Sequence, residues 1–371
     1  MTEATVALLE PADAAGRRRW DELVATSPRG SYCQLTSWLG SMAAYGFGYE
    51  VLVARTPTGE LVGGLPAYRY GAGPIRLLSS PLGPLAAEGH EDVAPALVEA
   101  YAERAHETRC LFAQLQVPAS KAGRTRQLLA ADDVPCDGRW DEGLLFRTGN
   151  VPNQLLTVDL RSDDGTAAAP DEVLLQRFRS RTRRDVRASL RTDLEIERPV
   201  DDATIRIAYG LIEENGREHG YATRSWADLG PTILAQVATG EAVIHLARAD
   251  GEPVGAHYGV IAGRRLTYMM GGTRRLHPDP HVGHFLHWQV MVHARSLGLD
   301  GYDLTTYGNA GVRRFKEGFQ PTLEPFVEAR HLVLRRAATA AFLAGYDQLR
   351  SRKATTARWA RRLRSVRGPH R

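Results

Sequence analysis

The chain is 371 residues long, 43% hydrophobic and 24% charged, with a net charge of +4. That length accommodates two domains of ordinary size, and the composition is that of a folded globular protein rather than a disordered or fibrous one. No apolar run reaches the roughly 18 residues that a membrane span requires, and three cysteines without CxxC spacing (Cys33, Cys110, Cys136) argue against a disulfide framework or a cysteine-based zinc site. The opening MTEATVALLEPADAAGRRRW is acidic before it is basic and has no long apolar core. A signal peptide is therefore not expected, and the cysteine usage points to a reducing cytoplasm.

Taken in chain order, strand patterns fall at 49–55, 61–69 and 74–80, with a turn at 57–60. A helix pattern at 91–108 and a strand at 110–118 follow. Residues 159–172, rich in Asp, Gly, Ala and Pro, read as a loop, and 173–194 as one helix with Phe178, Val186 and Leu190 at multiples of four. Strands at 242–248, 253–262 and 265–272 form a second meander, with turns at 250–252 and 263–264. A helix at 283–297, with Gly298 as its C-cap, then leads into a strand opening with Tyr302 and Asp303. The ARTPTGELVGG of 54–64 returns as ARADGEPVGA at 247–256, so the chain reads as two copies of one unit. The expected fold class is α/β (α+β), each copy a mixed, mostly antiparallel sheet flanked by helices. The expected boundaries are 1–158 and 173–335, followed by a basic helical tail at 336–371.

Charge is unevenly placed. From 350 to 371 there are nine Lys or Arg and no Asp or Glu, and a second cluster at 177–191 contains Arg181, Arg183, Arg184 and Arg187. Such clusters suit phosphates, RNA or an anionic membrane surface, and equally a solvated helix face. Of the 47 cationic side chains only three are lysine: Lys121, Lys316 and Lys353. A solvated cation can be either residue, but a compact ammonium aimed at one atom is not replaced by a planar guanidinium. Lys316, in RRFKEGF at 313–319, thus becomes a candidate for chemistry. Five of the twelve histidines, His277, His281, His284, His287 and His293, crowd one region without HExxH, so no metal site is expected. GxSxG, Walker and strand-linked GxGxxG motifs are absent.

The strand and helix order resembles a tandem GNAT arrangement. An ordinary GNAT enzyme opens its central helix with a small-residue loop whose backbone N–H groups hold the pyrophosphate of coenzyme A. Here that place reads PDPHVGHFLHW, keeping Gly283 but carrying Phe285 where a small residue is usual. Six stretches resemble the Fem-type aminoacyltransferases: SYCQLTSWL, SSPLGP at 79–84, RTRRDVRASLR at 181–191, LTYMMGGT at 266–273, HFLHWQVMVHARSLGLDGYDL at 284–304 and FKEGF at 315–319. The resemblance spans roughly 30–335 and lacks the coiled-coil arm of some members.

The resemblance implies that Phe315 and Lys316 are active-site residues, that Arg224 holds acceptor phosphates and that Tyr268 lines the acceptor site. It departs from members acting on nucleotide-linked cell-wall precursors in three places: no lysine follows Trp38, Gln116 stands where an aspartate is common, and Asp228 where a tyrosine is. The implied co-substrate is aminoacyl-tRNA, with no bound cofactor. The acceptor is an amine-bearing cell-wall precursor or secondary metabolite. Asp303 and His287 are candidate bases. Arg181, Arg183, Arg184 and Arg187, with Arg361 and Arg362 of the tail, are candidate tRNA contacts. Two rival readings stand beside this: an acyl-CoA-dependent N-acyltransferase, and a non-catalytic protein that binds RNA or an anionic membrane surface.

Overall fold

The computed structural model describes residues 4–73, 75–118, 140–141, 154–162, 165, 167–305, 309–325 and 327–351. The first half holds β1 (Thr5–Leu8), α1 (Ala14–Thr26), α2 (Thr36–Gly40), β2 (Gly48–Arg55), β3 (Leu61–Ala72), β4 (Ile75–Ser80), β5 (Leu85–Ala86), α3 (Ala94–Glu107), β6 (Phe112–Pro118) and β7 (Trp140–Asp141). There follow β8 (Gln154–Asp159), α4 (Asp171–Arg177), α5 (Ser180–Ser189), β9 (Leu194–Glu197), α6 (Asp202–Glu218) and α7 (Trp226–Thr239). The second meander is β10 (Ala242–Ala249), β11 (Glu252–Ala262) and β12 (Arg265–Thr273). The chain continues through α8 (Val282–Ser296), β13 (Gly301–Asp303), α9 (Ala310–Gly318), β14 (Thr322–Pro325), β15 (Val327–Val333) and α10 (Arg336–Ser351).

Two mixed sheets result. One has the order β1-β2-β3-β4-β6-β15-β7, with β5 beside β3, and the other β14-β8-β13-β12-β11-β10-β9. Each has one parallel junction, β4 with β6 and β12 with β13, produced by the crossover helices α3 and α8. The two meanders and their crossover helices lie where the sequence places them. Gly298 follows α8 with φ of 70°, the left-handed turn that ends a helix.

The sheets do not divide at the expected boundaries. β8, placed by sequence at the end of the first unit, pairs with β13 and β14 of the second sheet. β15, placed in the second unit, pairs with β6 of the first. Alternating apolar residues show which face a strand buries but not which sheet it joins. An apolar cluster containing Trp20, Leu39, Tyr209, Tyr258 and Val260 runs between the halves. Within it the Trp20 indole donates to the Gln34 carbonyl at 2.9 Å.

The single helix expected at 173–194 is two. Phe178 and Arg179 are extended, with ψ of 153° and 145°. The break buries Phe178 against Phe319 and Trp288, with ring centroids at 5.2 and 6.1 Å, and frees the Arg179 N–H to bond the Gly318 carbonyl at 2.9 Å. Burying a Phe is worth about 1.5–3 kcal/mol, more than a broken helical turn costs. Leu190, assigned to the apolar face, is 42% exposed. The tail expected from 336 opens with α10, directly after β15, and its described part lays Phe342 against Phe112 of the first sheet.

Candidate functional site

FKEGF occupies the end of α9, and each residue faces a different task. The helix starts at Asn309, whose side chain accepts from the N–H groups of Gly311 and Val312, both at 3.0 Å. Phe315 packs against the rings of His284 and His287 at 4.9 and 5.2 Å. Lys316 turns inward. Glu317 turns outward and accepts from Arg313 at 2.8 Å, which holds its carboxyl below the usual range. Gly318 passes so near α5 that a Cβ would lie 2.1 Å from the Thr182 hydroxyl. Phe319 is buried in the second sheet's core.

Lys316 is 6% exposed, and its ammonium donates to the Leu304 carbonyl at 2.6 Å, just past the end of β13. It lies 5.5 Å from the ring centroid of Tyr268, a cation–π distance. Burial lowers its pKa from 10.5 to about 8, so at neutral pH it is still mostly the cation. The bond to Leu304 fixes where that charge sits.

Lys316 lines a cavity of about 220 Å³ with Tyr268, His257, His287, Phe315 and Asn215. A bulge in β12 helps to shape it: Gly259 opposes Tyr268 while Tyr258 opposes Met270, so Met269 drops out of the ladder and Tyr268 is re-aimed. Burial raises the pKa of Tyr268, which therefore stays neutral. His287 Nδ1 shares a 2.8 Å hydrogen bond with the Tyr302 hydroxyl. Burial, then the charges of Lys316 and His284, push its pKa down to about 3, so it is neutral as well.

His257 was missed by the sequence reading. It is fully buried, lines the cavity, and neither ring nitrogen has a hydrogen-bond partner among the described residues. Burial, with His245 and His287 nearby, holds its pKa well below the usual value. The hairpin turn offered a signal. It pairs His257 directly with His245, which in turn bonds His293 at 3.0 Å. A line of neutral imidazoles thus runs back from the cavity.

Not every expected site residue joins this cavity. Asp303 is fully buried and paired with Arg265, which donates to it at 2.7 and 3.1 Å, while Thr157 donates at 2.7 Å. A carboxylate so engaged is a structural hub, and it does not line the cavity. Arg224 does not line the cavity. It reaches from the second half to the first, donating to the Ser41 hydroxyl and carbonyl at 3.0 and 2.5 Å, with its guanidinium 5.1 Å from the Tyr45 ring. That engagement gives Arg224 a role in joining the two halves.

Arg181, Arg183, Arg184 and Arg187 are all on α5, which packs against α8. Arg181 and Arg184 face Asp185, and their side chains are 86% and 72% exposed. Arg187 pairs with Glu172 at 2.6 Å, and Arg183 donates to Gln176 at 2.9 Å. Arg361 and Arg362 lie outside the described residues. At the start of α8, Phe285 is turned into the core, so His281 and His284 are the partly exposed side chains there. Among the described residues no helix is long and apolar enough to cross a membrane.

Residues 176–317 match the family described as "Acetyltransferase (GNAT) domain". No curated protein sequence matches the chain. Among solved structures, FemX is similar at a TM-score of 0.74 and 16% identity, over 90% of this chain and 99% of that one. A conserved protein of unknown function from Bacteroides thetaiotaomicron is similar at 0.54 and 13% identity, over 89% and 99%. The C-terminal domain ascribed to a lysylphosphatidylglycerol synthetase of Agrobacterium fabrum is similar at 0.52 and 15% identity, over 90% and 97%. The chain has a FemX-like tandem GNAT fold, and the GNAT domain match coincides with the half that carries Lys316.

Proposed function

We propose that the protein is a Fem-type aminoacyltransferase, moving an aminoacyl group from aminoacyl-tRNA to an amine acceptor. The observation that carries this reading is Lys316, a buried ammonium fixed on the Leu304 carbonyl at the edge of the cavity. The acceptor nitrogen attacks the ester carbonyl carbon. The C–N bond forms, the bond to the ribose oxygen breaks, and that oxygen takes a proton as it leaves. The intermediate carries an oxyanion, and a preorganised, buried cation stabilises it by a few kcal/mol. The amine proton passes to the departing ribose oxygen, while His257 and His287, which burial keeps neutral, offer hydrogen bonds beside it. Tyr268 and Phe315 offer rings on which a single-stranded acceptor end can stack. The exposed arginines of α5 supply a phosphate-binding face beside α8.

Acyl-CoA-dependent N-acyl transfer is the second reading, favoured by the acetyltransferase domain match. One experiment separates the two. The protein is incubated with mixed aminoacyl-tRNAs and candidate amines and the products are read by mass spectrometry, while acetyl-CoA is tested for thermal stabilisation. Aminoacylated amine without an acetyl-CoA shift supports the first reading. Saturable stabilisation by acetyl-CoA, with no aminoacyl product, overturns it.

A further inference from the structure

The start of α8 gathers a second group of side chains that the Lys316 cavity does not use. His281 is the N-cap of α8, and His284 lies one turn further, with ring centroids 5.9 Å apart. Asp185 reaches them from α5. One donor atom from each of the three lies within 4.8 Å of the others, the one such group of His, Cys, Asp and Glu among the described residues.

The surroundings resemble those of a ligated carboxylate. The Asp185 side chain is 8% exposed, and its Oδ1 accepts from Arg184 at 3.2 and 3.3 Å. Its Oδ2 meets Arg181 at a looser 3.7 Å, and the Arg181 side chain is 86% exposed and able to swing away. An outer partner on one oxygen orients the other, as second-shell groups do at metal sites. His281 sits in the left-handed region at φ 60°, and its N–H donates to Asp279 Oδ1 at 2.8 Å. Asp279 Oδ2 is 3.9 Å from His281 Nδ1, within reach of a fourth position.

We propose that Asp185, His281 and His284 form a binding site for a divalent first-row transition metal, with zinc the best match. Two imidazoles and a carboxylate are a zinc donor set, and Asp279 or water would complete a tetrahedron. Donors on such a tetrahedron are roughly 3.4 Å apart, so a modest turn of the partly exposed His281 closes the present spread. Bound there, the ion ties α5 to the start of α8, where His284 packs on Phe315. This site stands independently of the aminoacyl-transfer reading.

The test uses tag-free full-length protein stripped with chelator. Zinc chloride is titrated by calorimetry, and cobalt chloride by its visible d–d absorption. One saturable site is expected. Asp185→Asn and His281→Asn (Asn tolerates the left-handed backbone) should each weaken zinc binding by more than the roughly 10–100-fold that loss of an outer partner costs. His219→Ala, an exposed histidine outside the cluster, should leave it unchanged. Circular dichroism confirms that each variant is folded. No saturable zinc binding, or binding unaltered in both cluster variants, overturns the proposal.

Discussion

The two copies of the repeated unit can be overlaid strand by strand through their parallel junctions. Leu77 pairs with Phe112 in the first, and Arg265 with Gly301 in the second. This register sets Ser79 against Thr267 as equivalents, and Gln114 against Asp303. At the shared position the first copy holds a neutral hub: Ser79 donates to the Gln114 amide oxygen at 3.0 Å, and the Gln114 nitrogen meets His331 at 2.9 Å. The second copy holds a charged hub, with Asp303 accepting from Thr157 and Arg265. Both hubs are completed by a strand that the sequence assigns to the other unit, β15 in one and β8 in the other.

Beyond the hub the copies diverge. In the first, the Tyr101 hydroxyl bridges the strands, accepting from the Ser80 N–H at 3.0 Å and donating to the Gln114 carbonyl at 2.8 Å. The gap between β4 and β6 is thereby closed. In the second, Tyr268 is turned into a cavity and Lys316 takes the Leu304 carbonyl. At this junction the first copy is bridged, and the second, open copy holds a buried cation at a cost in stability.

The largest expected effect is at the charged hub. Asp303→Ala removes the carboxylate that buried Arg265 donates to and should destabilise the protein by about 3–5 kcal/mol. Gln114→Ala, at the neutral hub, should cost about 1–3 kcal/mol. Chemical denaturation of both variants checks the contrast, and equal losses would erase it.

A smaller effect of opposite sign is expected at Lys316. Its folded pKa is depressed to about 8, so folding is opposed by the charged form. Below pH 8 the whole penalty is present, and wild-type stability rises as pH climbs from about 8 towards the unfolded value of about 10.4. Lys316→Met should therefore stabilise the protein by about 2–3 kcal/mol near pH 7, with the gain shrinking above pH 8. Thermal melts across that range read it, and a destabilised variant would show that the Leu304 bond outweighs the burial.

Tyr101→Phe should be smaller still, about 1 kcal/mol for the lost bridge. It should leave transfer activity per folded molecule unchanged, because the bridge lies in the copy that does not carry Lys316. Loss of turnover in a stable Tyr101→Phe protein would contradict that division of labour.

Much of this was legible in the sequence. The scarcity of lysine singled out position 316, and the repeat around each Gly-Glu turn located both meanders. The hubs were hidden because they depend on β8 and β15 changing sheets, and period-two alternation carries no information about a strand's partner. Asp303 read as a site residue for the same reason, since its partner Arg265 lies 38 positions away on another strand. The break at Phe178 was hidden too, because helical spacing continues through it while burial against Phe319 overrides it.

The central claim, that Lys316 acts as a fixed cation in the open copy, is tested most directly by the pH dependence of aminoacyl transfer, with Lys316→Met as control. The account predicts that wild type exceeds the variant by about 10²–10³-fold at pH 7, and that this ratio, in which the acceptor amine's own titration cancels, shrinks as pH rises through about 8, where the ammonium loses its proton. A ratio that does not change with pH, or a Lys316→Met protein that turns over like wild type, would contradict it.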